Sequence, residues 1–369
     1  MSKVINVRRA AATAVLTLAS LGLSLAVAEF VLRSVTPFPI TELSHRRPDP
    51  NFGYVVANDI QDIDEWGFRN RGVTLRDADV IAVGDSHTYG YNVDVTHAFP
   101  HVLGELTQSK VYAMAAGGYG IFQHLALLHA ASQYPARDVI LALYPANDLG
   151  SACSIIGLPT WQALAREVGI EPPRCADNEL SRTSVLQASA LIGAIDYAWV
   201  RYAPAHCSAP AIRFPQGPCV SIAAARRHAR LTSLDDPDNR LAFADARAIL
   251  AYVDAELRER GKRFSVLMIP SRERVEFEWS KTLSTEPDPR LAGPVDSEIA
   301  LAAAFGAFLE ERGISVLDAT PIVVQAFDAA VRRREPFYPS NDDGHPFAAG
   351  YAAYARAAAE LLATADSDR

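Results

Sequence analysis

The segment Val80-Ile81-Ala82-Val83-Gly84-Asp85-Ser86 gives the clearest indication of the fold. An uninterrupted apolar run of this length that stops at a glycine is typical of a strand buried on both faces of a sheet. Parallel strands need long crossover connections, and helical patterns separate most of the apolar runs, so the sequence predicts an α/β fold with a five-stranded parallel sheet between two layers of helices. The other four predicted strands are Lys110–Ala113, Val139–Leu143, Phe264–Ile269 and Ile314–Asp318.

The helical patterns lie between these runs and after the last one. They cover residues Phe122–His129, Leu241–Arg260, Glu298–Arg312 and Ala348–Ala363. In open α/β sheets the ligand crevice lies beyond the carboxyl ends of the strands. We therefore expect the functional residues in the loops that follow the five predicted strands.

The N-terminal segment departs from an otherwise ordinary globular composition. The 369 residues are 49% hydrophobic and 21% charged, yet no charged residue lies between Ala10 and Ala28, and apolar residues resume after Glu29. About 20 helical residues match the hydrocarbon core of a bilayer, which is about 30 Å thick. We predict a transmembrane anchor over residues 10–32, preceded by a cytoplasmic tail over residues 1–9.

The charges that precede the apolar segment, Lys3, Arg8 and Arg9, favour a cytoplasmic N-terminus. A cleaved signal peptide is the alternative, because Ala26-Val27-Ala28 has the small-x-small form of a processing site, so that cleavage would fall near Ala28. The apolar segment is longer than the usual core of a signal peptide, which favours the retained anchor. Both interpretations export the rest of the chain.

The remaining chain is expected to form one domain with an insertion. Residues 33–50 contain several prolines and are predicted to be an extended linker, and the folded domain is expected over residues 51–365. The alternation of strands and helices breaks over residues 151–239, where no convincing strand is found. We expect this insertion to supply a wall of the substrate pocket.

The four cysteines of the chain all lie in the insertion. An even, clustered set in an exported protein suggests disulfides, and pairing in sequence order closes the shortest loops. We favour that pairing, although two others are possible, and the absence of any C-x-x-C spacing makes a zinc site unfavourable. The predicted pairs are Cys153 with Cys175 and Cys207 with Cys219.

The overall charge argues against a polyanionic partner. The chain has 35 basic and 43 acidic residues, which gives a net charge of −8. Nucleic-acid binding is dominated by basic side chains that neutralise phosphates, so nucleic acid is not an expected partner. No cofactor is expected, and the oligomeric state stays open.

The loops after the predicted strands carry the residues expected for acyl transfer. Ser86 follows the first strand, Gly118 the second and Asn147 the third, and His345 lies in a late loop three residues after Asp342. A serine nucleophile, donors for an oxyanion, and a histidine base with a carboxylate that orients it make up a complete set. His87 is read as a packing or substrate-contact residue, not as a second base.

These blocks, Gly84-Asp85-Ser86, Gly118, Asn147 and Asp342-x-x-His345, resemble those of the SGNH (GDSL-type) hydrolase superfamily, in particular its membrane-anchored bacterial members. The resemblance implies a flavodoxin-like sheet with strand order 2-1-3-4-5. It also implies that Ser86 is the nucleophile, that His345 is the base, and that the Ser86 and Gly118 backbone N–H groups and the Asn147 amide form the oxyanion hole. Asp342 is the first choice for the orienting carboxylate, with Asp343 second.

The sequence thus favours an exported serine esterase that removes acyl groups, such as acetyl, from an envelope glycan or lipid. An O-acyltransferase that uses the same triad with a sugar hydroxyl as acceptor is the first alternative. A non-catalytic scaffold that binds envelope glycan is the second. The expected location is the membrane through residues 10–32, with the folded domain outside the cytoplasm in a bacterial periplasm, or a secreted form after signal cleavage.

Overall fold

The structure of the protein is a computed structural model. It describes residues 2–35, 46–58, 62–150, 155–171, 191–192, 194–195, 211–213, 219–283, 288–339 and 343–367. The described strands, in chain order, are β1 (Arg46–Asp49), β2 (Gly53–Val56), β3 (Val80–Gly84), β4 (Val111–Ala115), β5 (Asp138–Leu143), β6 (Ala211–Arg213), β7 (Cys219–Ser221), β8 (Arg263–Met268) and β9 (Ser315–Asp318).

The helices connect these strands and cover the sheet. Those that the structure describes are α1 (Ser2–Val35), α2 (Ser86–Tyr89), α3 (Phe99–Thr107), α4 (Ile121–Ser132), α5 (Pro145–Asp148), α6 (Pro159–Val168), α7 (Ile222–Thr232), α8 (Pro237–Glu259), α9 (Arg272–Thr282), α10 (Pro289–Glu311), α11 (Thr320–Arg333) and α12 (Ala348–Ser367). A short 3-10 helix spans Val95–His97.

The central sheet has the predicted strands in the predicted order. Its five strands run in the order β4-β3-β5-β8-β9, and all of its pairings are parallel. Numbered along the chain, that order is 2-1-3-4-5. The strands that follow from the sequence are confirmed, with their ends shifted by one or two residues. Every residue of β3, β4 and β5 is buried, which explains why these strands appear as continuous apolar runs.

The two faces of the sheet pack against separate layers of helices. Ile81 and Val83 of β3 belong to an apolar cluster that includes residues of α4, α8 and α10. Val80 and Ala82, which point to the other face, belong to a cluster with residues of α3, α11 and α12. Alternate residues of one strand therefore fill two cores, and the three-layer αβα class is confirmed.

The N-terminal helix α1 contains the predicted anchor. Its segment Thr13–Leu32 has a mean hydropathy of 2.1, and none of it is buried against the rest of the protein. In the described part of the chain, α10 also has the length and composition of a membrane span. Several of its side chains are buried in the folded domain, including Leu301 and Phe305 on the sheet face. Helix α1 is therefore the one with the exposure expected of a signal or an anchor.

The structure differs from the predicted linker at its C-terminal end. Residues Arg46–Asp49 form strand β1, which pairs antiparallel with β2 and has Pro48 opposite Tyr54. The proline-rich run correctly indicates extended backbone, but pairing depends on β2, which the sequence pattern does not reveal. The folded part thus begins at or before Arg46, and residues 36–45 lie outside the described part.

The insertion contains more regular structure than the sequence suggests. Strands β6 and β7 pair as a short antiparallel ribbon, so the expectation that residues 151–239 hold no strand is wrong. Three-residue strands are too short to show an alternating pattern. Cys153, Cys175 and Cys207 lie outside the described residues, as does the side chain of Cys219, so the disulfides stay predictions.

Candidate active site

Ser86 lies where β3 ends and α2 begins, at the carboxyl edge of the sheet. It is buried, with 7% of its surface exposed. The residue that caps α2 is Asp85, whose Oδ1 accepts a hydrogen bond from the His87 backbone N–H at 2.9 Å. Ser86 is therefore not needed as a helix cap, and its hydroxyl is left to make other contacts.

His345 links Ser86 to a carboxylate. Its Nε2 lies 2.7 Å from Ser86 Oγ, and its Nδ1 lies 2.5 Å from Oδ1 of Asp343. An ionised carboxylate only accepts hydrogen bonds, so Nδ1 carries a proton, and in the neutral form of the ring Nε2 accepts from the serine hydroxyl. The three side chains form one chain of hydrogen bonds, although Ser86 and His345 are 259 residues apart in the sequence.

The carboxylate of Asp343 is held in its charged form. Burial alone would raise its pKa, but the charge of His345, the hydrogen bonds from His345 and the hydrogen bond from Asn92 outweigh burial and lower the pKa below its ordinary value. Asn92 Nδ2 donates to Asp343 Oδ2 at 2.7 Å, and the His345 backbone N–H donates to Oδ1 at 3.0 Å. Asp343 therefore stays an acceptor at neutral pH.

The first choice for this position, Asp342, lies outside the described residues. The structure instead brings the second choice, Asp343, to Nδ1 of His345. A carboxylate two residues before the histidine can bond to both the backbone N–H and the ring of that histidine, and Asp343 makes both contacts. The geometry thus favours Asp343 over Asp342 as the orienting residue.

Asn147 lies beside the nucleophile, as its position after β5 predicts. Its Nδ2 donates to Oδ2 of Asp85 at 3.0 Å. A primary amide carries two N–H groups, so one fixes the side chain and the second can serve an oxyanion. Asp85 is fully buried, and this burial raises its pKa. The same Oδ2 lies 3.4 Å from Ser86 Oγ, farther than Nε2 of His345.

Gly118 is held by residues that the sequence analysis does not single out. The carbonyl of Gly117 accepts hydrogen bonds from Arg46 Nη2 at 2.5 Å and from the Tyr54 hydroxyl at 2.7 Å. The C=O and N–H of a trans peptide point in opposite directions, so these donors make the Gly118 N–H point away from Arg46 and Tyr54. Gly118 has φ +80°, a left-handed conformation that favours glycine.

His87 packs against His345 and Tyr144. Its ring centroid lies 4.7 Å from that of His345 and 4.3 Å from that of Tyr144. Burial lowers the pKa of His87 well below its ordinary value, so the ring is neutral. A neutral ring stacked on His345 restricts where the His345 ring can lie, in agreement with the packing role expected from the sequence.

A cavity of about 590 Å³ opens at Ser86, Asn147 and His345. Helix α7 forms much of its wall, and Tyr144 and Glu273 complete it. Because α7 lies in the insertion, part of the cavity wall comes from residues 151–239, as the sequence predicts. The described part of the chain holds no cluster of three or more His, Cys, Asp or Glu side chains arranged to bind a metal ion.

Helix α7 is fastened to the domain by one buried ion pair and by apolar contacts. His228 Nε2 lies 2.7 Å from Oε2 of Glu298, and the same oxygen accepts from the Ser271 hydroxyl at 2.5 Å. Burial alone would lower the pKa of His228, but Glu298 outweighs it and raises this pKa. Ile222 and Ala225 of α7 pack into an apolar cluster with residues of α9 and α10. The wall is thus a fixed part of the site.

Ser86, Asn147 and His345 stand in recognisable sequence motifs, but the residues that support them do not. Asn92, Arg46 and Tyr54 make hydrogen bonds to the site, yet none stands in a motif. The sequence offers one weak signal, which is that Asn92 directly follows Gly90-Tyr91. In the structure Asn92 has φ +67°, a conformation in which asparagine is enriched.

The protein was compared with known families and structures. The sequence matches no family model, and no curated protein matches it significantly. The structure is similar to GDSL-type proteins. One is a protein from Desulfitobacterium hafniense that is described as lipolytic and of the G-D-S-L family, with 12% identity over 77% of this chain and 98% of the other and a TM-score of 0.39.

Two further structures are similar at the same level. The YxiM protein of Bacillus subtilis has 14% identity over 81% of this chain and 59% of the other, with a TM-score of 0.40. A carbohydrate esterase family 2 enzyme with a carbohydrate-binding domain, from Corynascus thermopiles, has 12% identity over 78% of this chain and 66% of the other, with a TM-score of 0.35. These values are too low to carry an argument about function, which rests on the site.

Proposed function

We propose that this protein is a serine-type ester hydrolase of the SGNH kind that removes small acyl groups from an envelope glycan or lipid. The observation that carries the proposal is the chain of hydrogen bonds from Ser86 through His345 to Asp343, at the mouth of a cavity. A serine that donates to a neutral imidazole, with an ionised carboxylate on the other ring nitrogen, is arranged for nucleophilic attack.

In the proposed reaction His345 takes the Ser86 proton while Ser86 Oγ attacks the ester carbonyl carbon. The tetrahedral intermediate collapses, the C–O bond to the leaving alcohol breaks, and His345 gives its proton to that oxygen. Water then attacks the acyl-serine, again losing a proton to His345. Collapse of this second intermediate releases the carboxylic acid and returns the proton to Ser86.

The oxyanion of each intermediate needs hydrogen-bond donors. The second N–H of Asn147 and the backbone N–H groups of Ser86 and Gly118 are the proposed donors. Asp85 holds Asn147, and Arg46 and Tyr54 hold the Gly117–Gly118 peptide, so these donors are fixed before substrate binds. Donors fixed in this way need no reorganisation when charge develops, which is how oxyanion holes accelerate acyl transfer.

The acyl group is proposed to be small because most side chains that line the cavity at Ser86 are polar, including Ser221, Arg227 and Glu273. A long acyl chain would need an apolar groove, and an acetyl group does not. The exposed apolar segment Thr13–Leu32 supports an envelope substrate, because an anchor or a signal would bring the domain outside the cytoplasm.

The test uses the full-length protein in detergent. A fluorescent alkyl phosphonate that reacts with activated serines should label the protein, and mass spectrometry of peptides should place the label on Ser86. The same preparation should release acetate from a short-chain aryl acetate. Folded protein that neither takes the label at Ser86 nor cleaves the ester would overturn the proposal.

The acceptor is tested separately. With an acetylated glycan as donor and an unacetylated glycan as acceptor, a hydrolase releases free acetate and leaves the acceptor unchanged. Acetylated acceptor in place of free acetate would support the O-acyltransferase, with the same triad and a sugar hydroxyl in place of water.

A further inference from the structure

We propose that the ester substrate is an anionic saccharide, whose carboxylate binds the guanidinium groups of Arg227 and Arg230 at the mouth of the cavity. This inference rests on the proposed function, because it names the substrate class of the same site. The side chains of α7 that line the cavity carry the inference.

Arg227 and Arg230 share one face of α7. Residues three apart on a helix are neighbours, and both side chains line the cavity that contains Ser86 and His345. Both are exposed, and neither guanidinium makes an ion pair within the part of the chain that the structure describes. Most other arginines near the site are paired, such as Arg272 with Glu276 and Arg274 with Asp318.

The acidic side chains at and around the cavity are less exposed than the two arginines. Asp343 is bonded to His345 and Asn92, and Glu298 is paired with His228. Glu273 also lines the cavity, but only 9% of its surface is exposed, and its charge helps to raise the pKa of His228. Among the described residues, the exposed charged side chains that line the cavity are therefore those of Arg227 and Arg230.

A guanidinium binds a carboxylate through two parallel hydrogen bonds, a geometry that lysine cannot supply. The net charge of the chain is −8, so two unpaired arginines at the cavity are a local feature and not part of a general basic surface. A mostly polar cavity suits an acetyl group better than a long acyl chain, and the arginines are left to bind the rest of the substrate. A saccharide that carries both a uronate carboxylate and an O-acetyl group meets these requirements.

The test compares two aryl acetates, of which 4-acetoxybenzoate carries a carboxylate and methyl 4-acetoxybenzoate does not. The wild-type protein should hydrolyse the anionic ester with a kcat/KM at least about tenfold higher than the neutral one, mostly through KM, and sodium chloride should reduce this ratio. The Arg227→Gln, Arg230→Gln double variant should lower the ratio about tenfold, and the change in the ratio cancels the different reactivities of the two leaving groups.

Arg226 supplies the matched control. It is exposed on the same helix but does not line the cavity, so Arg226→Gln should keep the wild-type ratio. Arg227→Lys should retain part of the preference for the anionic ester, because lysine keeps the positive charge but cannot donate the two parallel hydrogen bonds. Circular dichroism and the unfolding midpoint establish that each variant is folded.

Three results would overturn the inference. One is a wild-type protein that hydrolyses both esters equally, and another is a folded double variant that keeps the preference. The third is release of fatty acid from anionic phospholipid vesicles with no release of acetate from acetylated polygalacturonate, which would replace the saccharide with a lipid. Failure of the proposed function is distinct from all three, because then neither ester is cleaved and Ser86 takes no phosphonate label.

Discussion

The two edges of the central sheet each carry a cavity, and the larger one is not the candidate active site. The cavity at the amino edge has a volume of about 780 Å³, against about 590 Å³ at the carboxyl edge. Val80, Asp138 and Arg263, which begin three neighbouring strands, line the amino-edge cavity. Ser86 and His345 line the carboxyl-edge cavity.

The edges differ in what their polar groups do. At the amino edge Asp138 is paired with Arg263 and Arg137, and Asp77 is paired with Lys110 at 3.1 Å. At the carboxyl edge the Ser86 hydroxyl lies 2.7 Å from one ring nitrogen of His345, and Asp343 is bonded to the other ring nitrogen. The two cavities are therefore distinguished by the hydrogen-bonded Ser86, His345 and Asp343, and not by volume.

The helices explain why chemistry collects at one edge. In a parallel αβα sheet, each strand runs into the first turn of a helix at its carboxyl end, as β4 runs into α4 and β8 into α9. First turns leave backbone N–H groups without partners inside the helix, and they carry the positive end of the helix dipole. An oxyanion is stabilised at that edge and not at the amino edge, where the helices end.

Replacing one serine at each edge tests whether only the carboxyl edge takes part in the reaction. Ser86→Ala should lower kcat/KM for an aryl acetate by a factor of about 10⁴ or more, because no nucleophile remains. Ser109 lines the amino-edge cavity, and Ser109→Ala should leave kcat/KM within about twofold of wild type. Equal losses in two folded variants would remove the distinction between the edges.

The second largest effect is expected at the orienting carboxylate. Asp343→Asn should lower kcat by a factor of about 10³–10⁴, because an amide can leave His345 with the proton on the wrong nitrogen. Asp342→Asn is the matched control, one residue away, and should retain most activity. Steady-state kinetics on both variants decide between them, and the reverse order would return the role to Asp342.

The two aspartates mark the limit of what local sequence signals can predict. The five strands and the positions of Ser86, Asn147 and His345 follow from local signals: a short apolar run, a strand end, a short motif. The strand order follows only from the resemblance to SGNH hydrolases. The choice between Asp342 and Asp343 does not follow from local signals, because adjacent residues differ only in where the backbone of one loop directs each side chain.

Other features depend on contacts between distant parts of the chain. Arg46 lies 71 residues from Gly117, whose carbonyl it contacts. Arg227 reaches the cavity only because the His228–Glu298 ion pair and an apolar cluster fasten α7 to the domain. No periodicity or motif reports such packing, and the extended run before Asn51 was consistent with a linker and with strand β1 alike.

A third comparison separates a loss of catalysis from a loss of stability. Asn147→Ala at the carboxyl edge should lower kcat by a factor of about 10²–10³ while the free energy of unfolding changes little. Asp138→Asn at the amino edge should do the reverse. It leaves Arg263 without its full charge partner, which should cost about 3 kcal/mol of unfolding free energy, with kcat of the folded fraction unchanged. Urea unfolding and kinetics on both variants test the pair. If Asp138→Asn lowers kcat at constant stability, the amino edge takes part in the reaction.

The smallest effect is expected in the pH dependence of the unfolding free energy, to which an ion pair at each edge contributes differently. Burial alone would raise the pKa of Glu298, but His228, Ser271 and Arg274 outweigh burial and lower it. Burial alone would lower the pKa of His228, but Glu298 outweighs burial and raises it, so each group contributes stability in its charged form. The His228 contribution is complete below its ordinary pKa of 6.5 and is lost as pH rises through its raised value. The Glu298 contribution is complete above its ordinary pKa of 4.5 and is lost as pH falls through its lowered value.

The pair should therefore stabilise the fold most between pH 4.5 and 6.5. Raising the pH to about 9 should cost on the order of 1 kcal/mol of unfolding free energy, measured with urea, and His228→Gln should remove most of that loss. Arg263 at the amino edge stays charged throughout this range, so Asp138→Asn should leave the pH-dependent loss in place. A loss that persists in His228→Gln would mean that α7 is not fastened by a titrating ion pair. The position of Arg227 at the cavity would then depend on the apolar cluster alone.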